Sequence, residues 1–169
     1  MEMQELYDDA MFDLVFADNV MEHIDDPSAV LREVRRVLKP GGRFLFKTPN
    51  RTHYMPIIAQ LTPHWFHGMV NRARGRAEID TFPTRYRANT LRAISRVARE
   101  SGLEVLAVER IEGRPEYLRM VWPTYLLGIA YERTVNSFSV FAPLRILLIA
   151  ELRKPQLSAT AAACEDARC

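Results

Sequence analysis

The first fifty residues alternate between short apolar runs and one amphipathic stretch. Residues 12–17 (FDLVFA) are almost continuously apolar, which is typical of a strand buried on both faces of a parallel sheet. Apolar residues then recur at helical spacing over residues 30–38, and Asp26 and Pro27 supply a helix N-cap and a favourable first position. Residues 43–48 predict a second strand, so this segment is a strand–helix–strand unit with parallel strands and right-handed winding.

The sequence also indicates where the first helix ends and where a second helix lies after residue 88. Pro40, Gly41 and Gly42 are expected to end the first helix and turn the chain. Asn89 or Thr90 caps a second amphipathic helix, which Gly102 ends and whose apolar inner face consists of Leu91, Ile94, Val97 and Ala98.

The last third of the chain predicts two strands and a helix between them. Residues 103–111 alternate like a strand with one wetter face, and residues 144–152 predict the final strand. Residues 115–136 predict a helix that is broken near Pro123. Ordinary core packing is the simplest explanation of the apolar residues 121–131 within it.

Two stretches lack strong periodicity. Residues 51–88 hold prolines, histidines and aromatic residues, with short helices expected over 55–61 and 64–72, and a stretch this long is usually a functional insertion or lid. Residues 156–169 are rich in alanine without an apolar stripe, which predicts a disordered tail. We therefore expect one domain over residues 1–155, followed by this tail.

Composition and charge narrow the class of protein. The chain has 169 residues, 48% of them hydrophobic, which suits one globular domain, and its net charge of +2 is too small to indicate a nucleic-acid partner. Nine arginines against two acidic residues lie between Arg51 and Arg99. This basic segment is either a solvated surface or a surface that meets an acidic substrate or an anionic membrane.

The compartment follows from the cysteines and the apolar runs. Cys164 and Cys169, the two cysteines, stand near the end without metal-ligand spacing, as expected in a reducing compartment. The first ten residues are acidic and polar, unlike a signal peptide. The longest apolar runs, residues 121–131 and 144–150, fall short of the roughly 18 residues that span a bilayer. We expect a cytoplasmic protein.

Several features between residues 12 and 50 occur together in an order that resembles class I S-adenosylmethionine-dependent methyltransferases, above all the quinone-biosynthesis group. They are the FDLV strand, the pair Glu22–His23, and an Arg-x-Leu-Lys-Pro-Gly-Gly run over residues 36–42. The resemblance implies an α/β fold with part of a Rossmann-like sheet. The four predicted strands would be strands 4, 5, 6 and 7 of the family, in the spatial order 4-5-7-6 with strand 7 antiparallel. Strands 1–3 would precede residue 1.

The resemblance also implies a cofactor, S-adenosyl-L-methionine. The family binds it mainly with a glycine-rich loop after strand 1 and an acidic residue after strand 2, and this sequence contains no Gly-x-Gly-x-Gly. The remaining cofactor contacts would follow strand 4, at Asp18, Asn19 and Val20. Asp18 is equally well explained as a cap at the end of the strand.

The sequence says less about a catalytic residue than about the cofactor. Methyl transfer depends mainly on positioning, and a base is needed only if the acceptor must lose a proton. His23, beside Glu22, is a weak candidate for that base, and a structural role at the start of a helix explains it at least as well.

The insertion supplies the predicted contacts to the methyl acceptor. Its aromatic and basic residues would suit a small or lipid-like acceptor that carries an anionic group. The expected lid residues are His53, His64, Trp65, Arg85 and Arg87. The histidines do not complete a set with metal-ligand spacing, so no metal site is predicted.

Three hypotheses for function remain open. The chain is a methyltransferase by family that we expect to be inactive alone for lack of the glycine-rich loop, a non-catalytic remnant that serves as a binding or partner module, or a fragment that does not fold stably alone. An uncovered strand over residues 12–17 would expose unpaired backbone groups and favour self-association. The basic insertion leaves peripheral contact with a membrane open.

Overall fold

The computed structural model describes residues 6–54, 57, 84–113 and 122–156. Seven main elements occur in these ranges, together with two short 3-10 helices over Met21–His23 and Ser139–Leu144. The main elements are β1 (Phe12–Asp18), α1 (Pro27–Val37), β2 (Leu38–Pro49), α2 (Leu91–Glu100), β3 (Glu104–Ile111), α3 (Trp122–Ser137) and β4 (Leu147–Arg153).

The four strands form one mixed sheet in the order β1-β2-β4-β3. β1 and β2 are parallel, whereas β4 runs antiparallel to both β2 and β3. The α/β class is thereby confirmed, and the order of neighbours agrees with the expected arrangement. Because β1 and β2 are parallel and β4 is reversed, the carboxyl ends of β1, β2 and β3 and the beginning of β4 lie at the same edge of the sheet.

Helices α1 and α2 cover one face of the sheet and build the core there. Phe44, Phe46, Leu148 and Leu152 point from the central strands into this core. Leu31 and Val34 from α1 meet them together with Ile94 and Val97 from α2, since the apolar positions of both helices recur at a spacing of three or four.

Local capping chemistry fixes where these two helices begin. The Asp26 carboxylate accepts a hydrogen bond from the Ala29 N–H at 3.0 Å, and Pro27 occupies the first turn of α1, as the sequence predicts. Of the two candidates for the α2 cap, Thr90 takes the role, because its hydroxyl accepts from the Ala93 N–H at 3.2 Å. Asn89 is buried and has a different partner.

The Pro40–Gly41–Gly42 run does not lie between the helix and the strand as predicted. Helix α1 already ends at Val37 and β2 starts at Leu38, so the run lies inside a longer strand. Pairing shifts there, because β1 advances from Phe12 to Leu14 while β2 advances from Leu38 to Arg43. Glycine is required at residue 42, where a Cβ would lie 2.8 Å from the Lys39 carbonyl oxygen.

One prediction of burial is wrong for β1. The apolar run over residues 12–17 predicts a strand buried on both faces, whereas Leu14 and Phe16 are 59% and 61% exposed.

Two further predictions of burial are wrong. Leu91, assigned to the inner face of α2, is exposed, because it stands in the first turn beyond the edge of the core. The apolar stretch in α3 is not core either: Leu127 is 69% exposed, and the buried residues of this helix are Gly128 and Val135. Those two positions are seven apart, so only one narrow stripe of α3 packs inward.

Other predictions fall outside the described residues. They are the short helices over 55–61 (apart from residue 57) and 64–72, the start of the last helix before residue 122, and the tail after residue 156. Across the ranges that the structure does describe, every helix is too short or too polar to cross a bilayer.

Candidate functional site

The loop after β1 brings together the three predicted cofactor contacts. Asp18, Asn19 and Val20 are all exposed, at the edge where the parallel strands end. Asn19 has a φ of 51°, a left-handed conformation that asparagine tolerates, and its N–H donates to the Lys47 carbonyl at 3.0 Å. The loop is thus a turned, accessible surface fixed to the neighbouring strand.

Asp18 also has a structural partner. The Lys47 ammonium lies 2.7 Å from one oxygen of its carboxylate and donates to the other at 2.9 Å. This ion pair links the ends of β1 and β2, in keeping with the strand-end role. Because both side chains are partly exposed, a ligand hydroxyl could still reach the carboxylate.

The 3-10 turn Met21–His23 directs Glu22 inward. Glu22 is only 4% exposed, and burial raises the pKa of its carboxyl. The Thr48 hydroxyl donates to Glu22 Oε2 at 3.3 Å, and the Asn89 side-chain amide donates to the Thr48 hydroxyl at 2.6 Å. We call Glu22, Thr48 and Asn89 the Glu22 network.

The Glu22 network joins three separate segments of the chain. The Asn89 amide also donates to the Pro49 carbonyl at 2.9 Å, and the Arg51 N–H donates to the Asn89 carbonyl at 2.9 Å. The Glu22 carbonyl accepts from the N–H groups of Arg85 and Tyr86 at 2.6 and 3.2 Å. The loop after β1, the end of β2 and the end of the insertion are therefore held against one another.

His23 differs from Glu22 in exposure. Its side chain is 31% exposed, with Nε2 3.9 Å from Glu22 Oε1, and its N–H donates to the Val20 carbonyl at 3.0 Å. The imidazole can therefore exchange protons with solvent, whereas the Glu22 carboxyl cannot do so directly. The backbone contact also fits a structural role for His23 in the turn, so a role as a base and a structural role both stay open.

A second polar cluster lies at the same edge of the sheet, and we call it the Glu112 cluster. It contains Glu112 after β3, Tyr131 on α3, and His53 and Tyr54 after β2. The Glu112 carboxylate accepts from the Ile146 N–H at 2.9 Å and lies 3.7 Å from His53 Nε2. The Tyr54 ring centroid lies 4.1 Å from that of His53 and 4.9 Å from that of Tyr131.

Burial controls the protonation of this cluster. It lowers the pKa of His53 to about 4 and raises the pKa of Glu112 to about 7. It also raises the pKa of Tyr131 to about 12, while the Tyr131 hydroxyl donates to the Leu144 carbonyl at 2.7 Å. All three groups are therefore biased toward their neutral forms.

Asn50 anchors the chain between the two polar groups. Its side-chain amide donates to the carbonyls of Pro143 and Arg145 at 2.8 and 2.7 Å, and its Oδ1 accepts from the hydroxyl and the N–H of Thr52. The residues that follow β2 are thus tied to the start of β4, which places His53 next to Glu112.

The predicted lid residues are placed as follows. Arg85 forms an ion pair with Asp25 at 3.0 Å beside the Glu22 turn, and Arg87 is exposed nearby. His53 is buried in the Glu112 cluster. His64 and Trp65 lie outside the described residues. In the described ranges, no group of three or more histidine, cysteine, aspartate or glutamate residues could hold a metal ion.

Sequence reasoning missed Thr48, Asn89, Glu112 and Tyr131. Thr48 and Glu112 directly end or follow predicted strands, so their position at the ligand-binding edge was an available signal. Asn89 carried a signal as well, but it was interpreted as a helix cap. Tyr131 had none, because it stands at the end of an apolar run in the sequence.

Comparison with known proteins shows what the first part of the chain is similar to. A family described as "Methyltransferase domain" matches residues 1–46, which contain β1, the Glu22 turn and α1. Over these residues the chain is similar to methyltransferase domains. The matched residues end within β2, so β3 and β4 lie beyond them.

Curated relatives extend the similarity to the methyltransferases beyond residue 46. The chain is 27% identical over 144 residues to a ubiquinone biosynthesis O-methyltransferase of Methylococcus capsulatus, covering 85% of this chain and 50% of that protein. It is 37% identical over 94 residues to the enzyme of the same name from Pseudomonas entomophila, covering 56% and 37%. The chain thus spans half or less of the length of these two relatives.

A solved structure supports the methyltransferase fold. A chain in the complex of a methyltransferase activator and a methyltransferase from Haloferax volcanii superposes with a TM-score of 0.52 at 18% identity. The superposition covers 90% of this chain and 57% of that one. At this identity the likeness concerns the fold alone.

The described residues fit one side of the methyltransferase cofactor. Asp18–Val20 offer a carboxylate, an amide and an apolar side chain at the accessible edge. Gly42 lies beside the Phe12 carbonyl, at the opposite end of β1, so the Gly41–Gly42 pair cannot act as a cofactor-binding glycine loop at this edge. The three residues Asp18–Val20 are thus accessible groups at this edge that a cofactor could contact.

Proposed function

We propose that this chain is the acceptor-side part of an S-adenosylmethionine-dependent methyltransferase domain. In this proposal β1, β2, β3 and β4 correspond to strands 4, 5, 6 and 7 of the family. The observation that carries it is the exposed Asp18–Val20 loop at the carboxyl end of a parallel strand pair, within sequence that matches a methyltransferase domain. Ligands of open α/β sheets bind at this edge.

The residues of the chain would divide the work between binding and positioning. S-adenosylmethionine supplies an electrophilic methyl group, so alignment of the acceptor matters more than acid or base strength. Asp18 would bind the cofactor, and the Glu22 network would fix the loop that presents it. His23, the accessible imidazole, would accept a proton from the acceptor. The Arg85–Arg87 segment would contact the acceptor.

The acceptor class is a small or lipid-like molecule with a hydroxyl group. Two of the relatives are named as O-methyltransferases of ubiquinone biosynthesis, which supports a hydroxyl acceptor. The basic segment from Arg51 to Arg99 supports an acceptor with an anionic group.

The 169-residue chain by itself should bind the cofactor weakly, because it provides one wall of the pocket. Calorimetric titration of the chain with S-adenosylmethionine should give no saturation at concentrations of about 0.1 mM, since ligands that lose half of their contacts lose most of their affinity. Micromolar affinity would contradict this prediction.

A fusion protein tests the proposal itself. The part of the Methylococcus capsulatus relative that has no counterpart in this chain would be joined to it, and cofactor affinity would be measured. Asp18→Asn should weaken binding by about ten-fold, because a charge-assisted hydrogen bond is lost. The control is Asp13→Asn, since Asp13 lies on the same strand and pairs with Lys39 as Asp18 pairs with Lys47. Equal loss in both variants, or in neither, would count against the proposal.

A second candidate function is a partner module without catalysis. It is favoured by the apolar surface of β1, where Leu14 and Phe16 are both exposed on the face opposite the helices. The outer edge of β1 also pairs with no other strand of the described sheet. Such an edge and face together favour strand addition, including self-association.

A further inference from the structure

A cleft lies between the beginning of α1 and one side of α2, along the length of α2. Its volume is about 690 Å³ and it is open to solvent. Four arginines line it, in company with three acidic residues; the arginines are Arg51, Arg85, Arg87 and Arg96. We call it the arginine cleft.

The acidic residues of the arginine cleft already have partners. Asp26 caps α1 through the Ala29 N–H, and Asp25 pairs with Arg85 at 3.0 Å. Glu100 accepts from the Ser28 hydroxyl at 2.7 Å and lies 3.8 Å from Arg96. Their negative charges are therefore largely committed to neighbours within the cleft wall.

Two of the arginines lack such partners. Within the part of the chain that the structure describes, Arg51 and Arg87 have no carboxylate within ion-pair distance. Both are exposed and both line the same cleft. Two guanidinium groups that face one concave surface without counter-charges leave a local excess of positive potential.

The backbone fixes these two arginines relative to each other. The Arg51 N–H donates to the Asn89 carbonyl at 2.9 Å, which links residue 51 to the segment that carries Arg87. That segment is itself held by the Glu22 carbonyl, and it turns sharply at Tyr86, which has a φ of 51°. The spacing of the two side chains therefore depends on hydrogen-bonded backbone rather than on a loose loop.

We propose that the arginine cleft binds a phosphate group, with Arg51 and Arg87 as its two ligands. The planar guanidinium donates two parallel hydrogen bonds to such an oxyanion, and two arginines can share its oxygens. The N-terminal turn of α2, with Thr90 and Ala93, lines the same cleft and adds favourable dipole charge. Phosphate binding does not depend on methyl transfer, so the site can exist whether or not the cofactor binds.

Titration of the 169-residue chain with inorganic pyrophosphate at low ionic strength tests the site. The double variant R51Q/R87Q should bind at least about ten-fold more weakly than the parent, since it loses both charged donors. The control is R32Q/R133Q, which removes the same charge from two exposed arginines outside the cleft. Unchanged affinity in R51Q/R87Q, or an equal loss in the control, would overturn the proposal.

Vesicles distinguish two sources of the phosphate group. If the source is the headgroup of an anionic phospholipid, the parent should float with phosphatidylglycerol vesicles and not with zwitterionic phosphatidylcholine vesicles, and R51Q/R87Q should lose this flotation. If the source is a small phosphorylated molecule, the parent should bind pyrophosphate but neither kind of vesicle, and R51Q/R87Q should lose the pyrophosphate binding. Should the double variant fail to fold by circular dichroism, the single variants R51Q and R87Q decide: each should weaken pyrophosphate binding by about three-fold, and no change in either refutes the site.

Discussion

Glu112 is a buried carboxyl whose protonation depends on folding. Its pKa is about 7 in the folded chain against an ordinary value of 4.5, so only the folded state holds the proton between these values. The free energy of unfolding therefore falls as the pH rises through this window and levels off above it. His53 has the opposite effect between about 4 and 6.5, because its pKa is lowered.

Replacement of Glu112 by glutamine should remove its share of this pH dependence. Glu112→Gln keeps an oxygen for the Ile146 N–H and cannot ionise, so near pH 8 it should be more stable than the parent by about 1–3 kcal/mol. Near pH 4 the two proteins should agree within about 0.5 kcal/mol. Urea denaturation at both pH values measures the difference. Glu109→Gln on the exposed side of β3 is the control, and a gain of the same size there would refute the explanation.

Thr48 is the centre of the Glu22 network. Thr48→Val keeps the shape of the side chain but removes the hydroxyl that donates to the buried Glu22 carboxyl and leaves one N–H of the Asn89 amide without its acceptor. The expected cost is about 1–3 kcal/mol in the free energy of unfolding. Thr134→Val removes an exposed hydroxyl that donates to the Ala130 carbonyl one turn earlier in the same helix, and it should cost less than about 0.5 kcal/mol. Similar losses in both variants would mean that the network is not stabilising.

Residue-level prediction from sequence succeeded where the signal is local. Asp26 and Pro27 begin α1 as expected, since a cap depends on residues three positions apart. The pairing of Glu112 with His53 could not be read from sequence, because two segments far apart in the chain meet only after the sheet forms. Asp18–Val20 were placed correctly at the end of a strand, while their role toward a cofactor stays a prediction.

At the scale of elements, strand and helix types were predictable but exposed faces were less so. The four strands and α1, α2 and α3 all occur near their predicted positions. The faces of α3 were mispredicted because its apolar residues follow one another without a helical period, so nothing in the pattern distinguishes Leu127 from Gly128. The extension of β2 back to Leu38 was missed because Pro-Gly-Gly ordinarily indicates a turn between elements.

Gly42 tests the geometry of that extended strand. Gly42→Ala would place a Cβ 2.8 Å from the Lys39 carbonyl oxygen and 3.1 Å from the Phe12 carbonyl oxygen, and both are backbone atoms. The expected loss of stability is about 1–3 kcal/mol, which thermal denaturation would detect. At Gly113 an added Cβ would meet nothing within 4 Å, so Gly113→Ala should be nearly neutral. A neutral Gly42→Ala would show that β1 and β2 can separate at this point.

At the scale of the whole molecule, the helices cover only one face of the sheet at β1. Phe16 is 61% exposed on the uncovered face, next to the edge that no described strand occupies. We expect the chain to self-associate through this surface, and sedimentation equilibrium should show a concentration-dependent increase in mass. Phe16→Glu should shift the association midpoint upward by about ten-fold or more, since a charge would have to be buried.

The matched control for self-association is Leu127→Glu on α3. Leu127 is as exposed as Phe16 but lies away from the β1 edge. The Leu127→Glu variant should leave the midpoint of self-association unchanged. A chain that stays monomeric at every concentration, or equal shifts in both variants, would exclude β1 as the contact surface.

Two aspartate–lysine bridges cross from β1 to β2, one near each end of the shorter strand. Asp13 meets Lys39 at 2.6 Å and Asp18 meets Lys47 at 2.7 Å. The aspartates are five positions apart and the lysines eight, so both bridges can close together only if β2 accommodates three additional residues, which the glycine bulge does. Although each exposed bridge adds little energy, together they select a single alignment of the two strands, and shortening the bulge by one residue would leave at least one lysine opposite the wrong neighbour.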